Sequence, residues 1–507
     1  METVNLLIGG FQAALSWTNL YYLFIGVVFG NLVGVLPGLG PVSGTVLLIP
    51  FTFQLAPATA IIMLSGVYYG AMYGGSTTSI LLNIPGESSS VMTAVEGYQL
   101  TKQGRAGAAL GMSAITSFIA GTAAVVGLML LSPMMSKIAL SFGPVETFAL
   151  IFAAFTIIAS LGGASILKGL AMGALGVVLA TIGTEPMVAQ TRLTFGLEPL
   201  SGGVSFVAAA MGLFALPEVF EGVEQPGQAV YKKVALKIRN LFPMKEDFIN
   251  SRTAMPLGAI IGFIGGVLPG AGATIASFFA YGIQKRISKH PELFGQGSME
   301  AIASVEGANN AASTGALVPM LTFGIPGSGT AAVLMGAMII HGLQPGPLLF
   351  ENRPDVVWAL IASMYLGNVM LFILNFPLIG IWVSFMRMPV NIILTGVLAI
   401  SVAGVYADGN SMADVYCMFG FGVLGYILKK TDFPPAPIIL ALVLTEQLEG
   451  ALHRSLVISG GDWSIFVTRR LSLILLLVAL VSIILQMPAF ERWVGRVREM
   501  ARQEVNS

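Results

Sequence analysis

Two short runs place helix-breaking residues inside apolar sequence: Leu36-Pro37-Gly38-Leu39-Gly40 and Leu268-Pro269-Gly270-Ala271-Gly272. Proline removes a backbone donor and glycine admits φ > 0, so each run should interrupt a helix. The helix that restarts beyond the break exposes free N–H groups and the positive end of its dipole. Such an end can hold a carboxylate or phosphate without a basic side chain. The carbonyls freed on the other side suit a small cation. A second break follows each first one, Ile84-Pro85-Gly86 and Ile325-Pro326-Gly327.

Polar side chains cluster around these breaks. The first set is Ser43, Thr45, Ser76, Thr77, Thr78 and Asn83; the second is Thr274, Ser277, Asn309, Asn310, Ser313, Thr314, Ser328 and Thr330. Any single hydroxyl here can equally bond the preceding turn or permit close helix packing. Asn309-Asn310 is different, because two adjacent amides in an apolar run are costly without partners. The substrate-binding candidates are therefore Pro37, Gly38, Gly40, Ser43, Ser76, Thr77, Asn83, Pro85 and Gly86, with Pro269, Gly270, Gly272, Thr274, Asn309, Asn310, Ser313, Thr314, Pro326, Gly327 and Ser328.

Carboxylates border the charge-free runs at Glu87, Glu96, Glu300 and Glu306. An intramembrane carboxylate is a functional hypothesis by default. Glu306, beside Asn309-Asn310, is the first candidate for coupling to a proton or cation, and Glu96 the second. His341 could shuttle protons, but a lone histidine near a loop is more often structural. Other chemistries lack their residues. There is no GxxxxGK[ST] loop and no HExxH, and Gly38-Leu39-Gly40 does not form GxGxxG. One cysteine and three scattered histidines exclude an intramolecular disulfide and a zinc site. The expectation is a non-enzyme without a bound cofactor, using at most Na+ or H+ as a coupling ion.

These residues must be positioned by membrane helices. Of 507 residues, 55% are hydrophobic and 10% charged, against about 25% charged in soluble domains. After Glu2 no Asp, Glu, Lys or Arg occurs until Glu87, and residues 254–284 and 308–350 are likewise free of formal charge. Further apolar stretches lie at about 107–133, 145–161, 165–182, 203–217, 356–385, 390–406, 413–428, 435–447 and 471–487. Backbone groups in hydrocarbon must be satisfied within the segment, so the spans are helices. The expected fold is an all-α polytopic membrane protein with about 12–14 transmembrane helices, some broken or re-entrant. The N-terminus lacks the basic residues of a cleavable signal.

The chain also repeats itself. Gly34–Gly38 and Gly266–Gly270 are identical and lie nearly half the chain apart, and the two IPG runs recur after a closely similar interval. A weaker echo pairs Gly97-Tyr98-Gln99 with Gly342-Leu343-Gln344. Loop charge sets the orientation, since cytoplasmic loops are rich in Lys and Arg. In the first half the loop after the LPG run is uncharged and the one after IPG carries Lys102 and Arg105. In the second half Lys285, Arg286 and Lys289 follow LPG, while Glu351, Arg353 and Asp355 follow IPG. Reversed charge predicts two inverted-topology repeats: 1–220, then a cytoplasmic linker over 221–252, then 253–455. An extra helix (456–490) and a charged tail (491–507) complete the chain. Arg469-Arg470 and the basic tail flank the last span on both sides and fit this scheme badly.

Four long motifs carry a family resemblance: GVLPGLGPVSGTVLLIPFTF, YGGSTTSILLNIPGESSSVMTAVEGYQ, GVLPGAGATIASFFAYG and TFGIPGSGTAAVLMGAMIIHGLQPGP. They resemble the large membrane subunit of tripartite tricarboxylate transporters, over about Leu20 to Pro488. The resemblance implies a bacterial inner-membrane protein working with a small four-helix membrane subunit and a periplasmic solute-binding protein. It implies uptake of citrate-like or related carboxylates, driven by an ion gradient and not by ATP. A stand-alone carboxylate symporter is the alternative. A channel would want a filter repeated about an axis, whereas broken helices in an inverted repeat point to alternating access.

Overall fold

The computed structural model describes residues 2–36, 39–159, 166–185, 190–224, 238–269, 272–386 and 388–485. Pro37, Gly38 and Gly270, residues 225–237 of the 221–252 linker and the 491–507 tail lie outside the described residues. The first six helices are α1 (Glu2–Ala14), α2 (Trp17–Val35), α3 (Pro41–Thr52), α4 (Pro57–Leu82), α5 (Val91–Lys102) and α6 (Ala106–Ala139). Then come α7 (Pro144–Ala159), α8 (Ile166–Ala180) and a short antiparallel ladder, β1 (Gly183–Thr184) with β2 (Thr191–Arg192). The middle of the chain holds α9 (Phe206–Phe214), α10 (Leu216–Glu224), α11 (Lys245–Ser251), α12 (Ala254–Val267), α13 (Gly272–Ile287), α14 (Met299–Gly315), α15 (Leu317–Phe323) and α16 (Gly329–Ile340). The last are α17 (Pro347–Asn352), α18 (Pro354–Asn375), α19 (Ile379–Phe385), α20 (Val390–Gly409), α21 (Met412–Lys430), α22 (Ala436–Ile458), α23 (Ile465–Thr468) and α24 (Arg470–Leu485).

The all-α polytopic class is what the sequence predicts. Among the described residues, six helices are long and apolar enough to cross a membrane, and several shorter apolar ones accompany them. The stretch expected as one span over 356–385 is two helices, because the chain turns at Phe376–Leu378. Trp382 Nε1 donates to Leu374 O at 3.0 Å across that turn.

Every break read from the sequence is present where the residues are described. Helix α2 stops at Val35 and Leu36 is extended (φ −90°, ψ 113°); α12 stops at Val267 and Leu268 is extended (φ −78°, ψ 112°). The second breaks also match. Asn83 ends α4 in the left-handed region (φ 61°), and Gly324, its counterpart in the second half, ends α15 there (φ 69°). Glu87 and Ser328 then share one extended conformation (φ −151°, ψ 164° and φ −153°, ψ 167°).

The packing repeats as well. A β-carbon at Gly26, Gly30 or Gly34 of α2 would lie 2.1–2.3 Å from the carbonyl oxygen of Met63, Val67 or Ala71 of α4. Gly258, Gly262 and Gly266 of α12 are the equivalent glycines of the second half, and they meet Ser304, Ala308 and Ala312 of α14 at 2.2–2.3 Å in the same way. Such a stripe of small residues lets two backbones touch where apolar burial gives no drive in lipid.

The halves are inverted. Helices α4 and α14 are equivalent, yet they cross in opposite sense. Ser76 meets Glu306, while Tyr69 and Tyr73 share a cavity with Asn310 and Thr314. As the numbers rise along α4 they fall along α14. The helices after the second breaks, α6 and α18, do the same. Phe118 packs on Phe372 with centroids 5.1 Å apart, Thr122 accepts from Asn368, and Met129 meets Tyr365. Contacts are reciprocal too, since α4 packs on α18 and α14 on α6. A two-fold axis perpendicular to these helices relates the halves, which is an isologous arrangement.

One echo does not hold. Gly97 lies inside α5, whereas Gly342 follows α16 with φ 71°. The counterpart of Gly342 is Gly104 (φ 78°). A 3-10 turn over Ser88–Ser90 in the first half has no equivalent before α16, and it shifts the register of everything that follows it.

By contacts the chain forms two compact units that do not follow the repeat boundaries. One is Met1–Leu140 with Val207–Tyr426; the other is Ser141–Phe206 with Ile427–Ser507. In the second, α8 and α7 pack against α22, and α7 also packs on α24. Arg192 pairs with Glu449 at 2.6 Å, and Arg469 pairs with the buried Glu146 at 3.3 Å. The Arg469 charge, which fitted the positive-inside pattern badly, is therefore matched by a carboxylate.

Candidate functional site

The centre of the first unit is a buried carboxylate in a cage of hydroxyls. Glu306, in the middle of α14, is fully buried. Thr93 of α5 donates to Oε1. Oε2 accepts from Ser76 of α4 at 2.6 Å and from Ser113 and Ser117 of α6 at 3.0 and 3.4 Å. The carboxylate comes from the second half and all four donors from the first. Ser113 and Ser117 reach it together because i and i+4 share one helix face. Among the described residues no Lys or Arg pairs with Glu306, so hydrogen bonds alone solvate it.

The cage continues into Asn310. Its Nδ2 donates to Ser117 Oγ at 2.7 Å and to Glu306 O at 3.2 Å. Ser117 passes its own proton to Glu306, so Asn310, Ser117 and the carboxylate form one directed chain. Asn309 faces the other way and donates to Glu87 Oε1 at 2.7 Å. Its symmetry mate is the pair Tyr68 Oη and Ser328 Oγ, 2.9 Å apart, since Asn309 follows Tyr68 in the chain by the same interval as Ser328 follows Glu87. The axis thus runs through a polar centre built twice from one plan.

A cavity of about 10 Å³ lies on this axis, lined by Tyr69, Tyr73, Asn310, Ser313, Thr314 and Asn368 among others. A larger recess of about 350 Å³ between α10 and α20 is mostly apolar, lined by Val219, Leu394 and Leu398, with Asn391 and Thr395, and touches none of these groups.

Several expected residues meet here: Ser76, Asn309, Asn310, Ser313, Thr314, Ser328 and Glu306, with Thr77 buried on the same helix. Others do not. Ser43 Oγ is spent on Phe214 O at 3.0 Å. Asn83 is exposed and serves as a left-handed helix cap. Thr274 Oγ1 is 2.8 Å from Ser88 Oγ at an exposed contact. Pro85, Pro269 and Pro326 sit at the breaks themselves.

The glycines divide into two kinds. A β-carbon at Gly86 would lie 2.4 Å from Gly75 Cα and 2.6 Å from Gly34 O; at Gly327 it would lie 2.8 Å from both Ala316 Cα and Gly266 O. These two make room for the chain's own backbone. At Gly40 and Gly272, which precede and open α3 and α13, nothing lies within 4 Å.

Glu96 is fully buried but apart from the cage. It accepts from Tyr281 Oη at 2.8 Å and from the backbone N–H of Gly295, Gly297 and Ser298 at 2.5, 3.0 and 2.9 Å. A carboxylate so fully used fastens the 295–298 loop and has little capacity left for an ion. His341 likewise bonds Thr52, its Nε2 2.9 Å from Oγ1. Sequence reasoning missed Thr93, Ser113, Ser117, Tyr68, Tyr69, Tyr73 and Asn368. The interval between the two IPG runs, carried back from Asn309-Asn310, lands on Tyr68-Tyr69 and would have found two of them. Among the described residues no cluster of three or more His, Cys, Asp or Glu could hold a metal ion.

This geometry meets a family assignment. The description "Tripartite tricarboxylate transporter TctA family" matches residues 20–440. The chain belongs to the TctA family. Two relatives from Agrobacterium vitis are similar to this TctA-family chain. One, described as an uncharacterized 52.8 kDa protein in the TAR-I ttuC′ 3′ region, is 42% identical over 486 residues, 96% of each chain. The other, an uncharacterized protein in the TAR-II ttuC′ 3′ region, is 42% identical over 220 residues, 43% of this chain and 91% of that one. No solved structure matches. The TctA family is one of transporters, and the apolar helices are those of a multi-pass membrane protein.

Proposed function

We propose that this TctA-family chain is the large membrane subunit of a binding-protein-dependent secondary transporter in a bacterial inner membrane. It imports citrate-like or related carboxylates by alternating access, driven by a Na+ or H+ gradient. A small four-helix membrane subunit and a periplasmic solute-binding protein complete the system, and the binding protein delivers the substrate. The observation that carries this reading is Glu306, a buried carboxylate without a basic partner among the described residues, where the inverted halves cross. Intramembrane acids in such positions relay protons or ions, and sites at repeat interfaces are the rule in secondary transporters. The substrate carboxylates are held at the N-terminal ends of α3 and α13. Open space at Gly40 and Gly272, where nothing lies within 4 Å of a β-carbon position, supports this.

The test is uptake of radiolabelled citrate and other carboxylates into proteoliposomes, with and without binding protein, under imposed Na+ or H+ gradients. Gradient-driven, binding-protein-dependent uptake by the wild type is expected. Glu306→Gln, which keeps the shape but removes the charge and turns one accepting oxygen into an N–H donor, should lower it by on the order of tenfold or more. Uptake without binding protein would favour a stand-alone symporter. Unchanged ion dependence in Glu306→Gln would remove the coupling role.

A further inference from the structure

The axial cavity sets the oxygens of Tyr69, Tyr73, Asn310, Ser313, Thr314 and Asn368 beside an apolar wall of Gly121, Val125 and Met364. Asn310 spends both Nδ2 protons on Ser117 and on Glu306 O. Turning the amide over would set its oxygen against the Glu306 carbonyl, so the orientation is fixed and Oδ1 must face elsewhere. Tyr73 Oη gives its proton to Asn368 Oδ1 at 2.7 Å. Asn368 Nδ2 gives both of its protons to Phe118 O at 2.9 Å and Thr122 Oγ1 at 2.8 Å. Ser313 Oγ gives its proton to Asn310 O at 2.8 Å. Two oxygens of the lining remain buried without a well-formed hydrogen bond, Tyr69 Oη and Asn310 Oδ1. The Ser363 hydroxyl beside Tyr69 gives its proton to Leu360 O at 2.7 Å, so it can only accept from the tyrosine and leaves the phenol lone pairs free. Tyr69 and Asn310 are symmetry mates, on α4 and α14. The volume, about 10 Å³, is near the minimum that admits one water-sized body.

Lone pairs from neutral oxygens, gathered in a space for one small body, are what a hard cation selects. Glu306 is linked to the cavity through Ser117 and Asn310 and has no basic partner among the described residues. We infer that this cavity binds a single Na+-sized monovalent cation, with Tyr69 Oη and Asn310 Oδ1 as its principal ligands. The inference rests on reading the chain as an ion-driven transporter, and it names the ion and a place for it distinct from Glu306. An ion on the axis takes ligands from both halves. Any movement of one half against the other opens its shell, which ties occupancy to conformation.

The experiment is equilibrium binding of radioactive sodium to the purified full-length chain in detergent, with no transport required. Saturable binding of one Na+ per chain is expected, displaced by unlabelled Na+, weakly by K+ and not by choline. Tyr69→Phe, which deletes one oxygen, and Asn310→Leu should each weaken it by about tenfold or more, with circular dichroism and gel filtration unchanged for Tyr69→Phe. Absence of saturable Na+ binding by folded wild type, a cavity holding water only, overturns the inference. So does unaltered affinity in Tyr69→Phe. The two readings separate cleanly. Na+ bound through Tyr69 while uptake ignores the Na+ gradient upholds the site and removes sodium coupling. Na+-driven uptake with Tyr69→Phe binding like wild type keeps the coupling and rejects this site.

Discussion

Tyr69 and Asn310 occupy the same position in the two halves of the chain and line one cavity from opposite sides of the two-fold axis. Each presents a buried oxygen without a well-formed hydrogen bond. The relation is one of place and not of residue type: the repeat kept the geometry of the site while its halves took up different side chains. Of the two, Asn310 alone connects to Glu306, to its carboxylate through Ser117 and to its carbonyl oxygen directly.

The Ser117 link predicts unequal effects within the cage. Ser117→Ala leaves one buried Nδ2–H of Asn310 unpaired and also removes one donor from Glu306. A stranded buried polar group costs about 1–3 kcal/mol, and a lost hydrogen bond about 1 kcal/mol. Ser113→Ala removes one donor only. Thermal unfolding of the detergent-solubilised protein should rank Ser117→Ala well below Ser113→Ala. Equal or reversed ranking would mean that the Asn310–Ser117–Glu306 chain is not formed.

The two kinds of glycine give a second contrast. Gly86→Ala places a β-carbon 2.4 Å from Gly75 Cα and should destabilise by about 1–3 kcal/mol, seen as reduced membrane yield. Gly40→Ala meets nothing within 4 Å and has an ordinary φ of −75°, so yield should hold. Its effect should appear in substrate affinity alone. A well-folded Gly86→Ala protein with normal yield would refute the packing role.

Glu96 is expected to matter for structure and not for coupling. Glu96→Ala frees three backbone N–H groups and Tyr281 Oη. Charge-assisted bonds of this kind make the loss on the order of 2–4 kcal/mol. Limited proteolysis should then cut within 288–298 while the ion dependence of residual uptake stays that of wild type. A changed coupling ion in Glu96→Gln would restore it as a coupling residue.

Topology can be read with single cysteines on a Cys417→Ser background. Gln103 Nε2 donates to Gln296 O at 2.8 Å, which puts the loop after α5 beside the loop after α13. Thr52 beside His341 joins the loops after α3 and α16. Lys102→Cys and Lys285→Cys should label from the cytoplasmic face, and Gln54→Cys and Asn352→Cys from the other. Labelling of Gln54→Cys and Lys102→Cys from one face would contradict the inverted arrangement.

Much of this was legible in the sequence, for identifiable reasons. Breaks made by proline and glycine act locally, so Leu36, Leu268, Asn83 and Gly324 end helices where the motifs say. Loop charge is set by the membrane and not by packing, so the inversion shows in Lys102 and Lys285. Glu306 stands out because it borders an apolar run beside two amides. Its cage does not, because Thr93, Ser113 and Ser117 are ordinary hydroxyls in helices whose facing depends on tertiary packing. Gly86 and Gly327 mislead for the same reason, since a motif glycine can serve a ligand or a neighbouring backbone and only the fold decides. The Gly97 echo fails on the short 3-10 turn at Ser88–Ser90, an insertion that motif matching does not see.

The interleaving of the two units bears on how the chain is made. Helices α7 and α8 leave the ribosome early, but their partners α22 and α24 follow only after the whole of Val207–Tyr426 has been synthesised. At roughly 5–20 residues per second that is a wait on the order of tens of seconds. During it Glu146 has no Arg469 and Arg192 has no Glu449. Nascent chains stalled before Ile427 should carry Glu146 without Arg469, and Arg192 with only the long Glu185 contact at 3.9 Å, a ready signal for membrane proteases. Assembly of the second unit can therefore be completed only after α22 and α24 have been made.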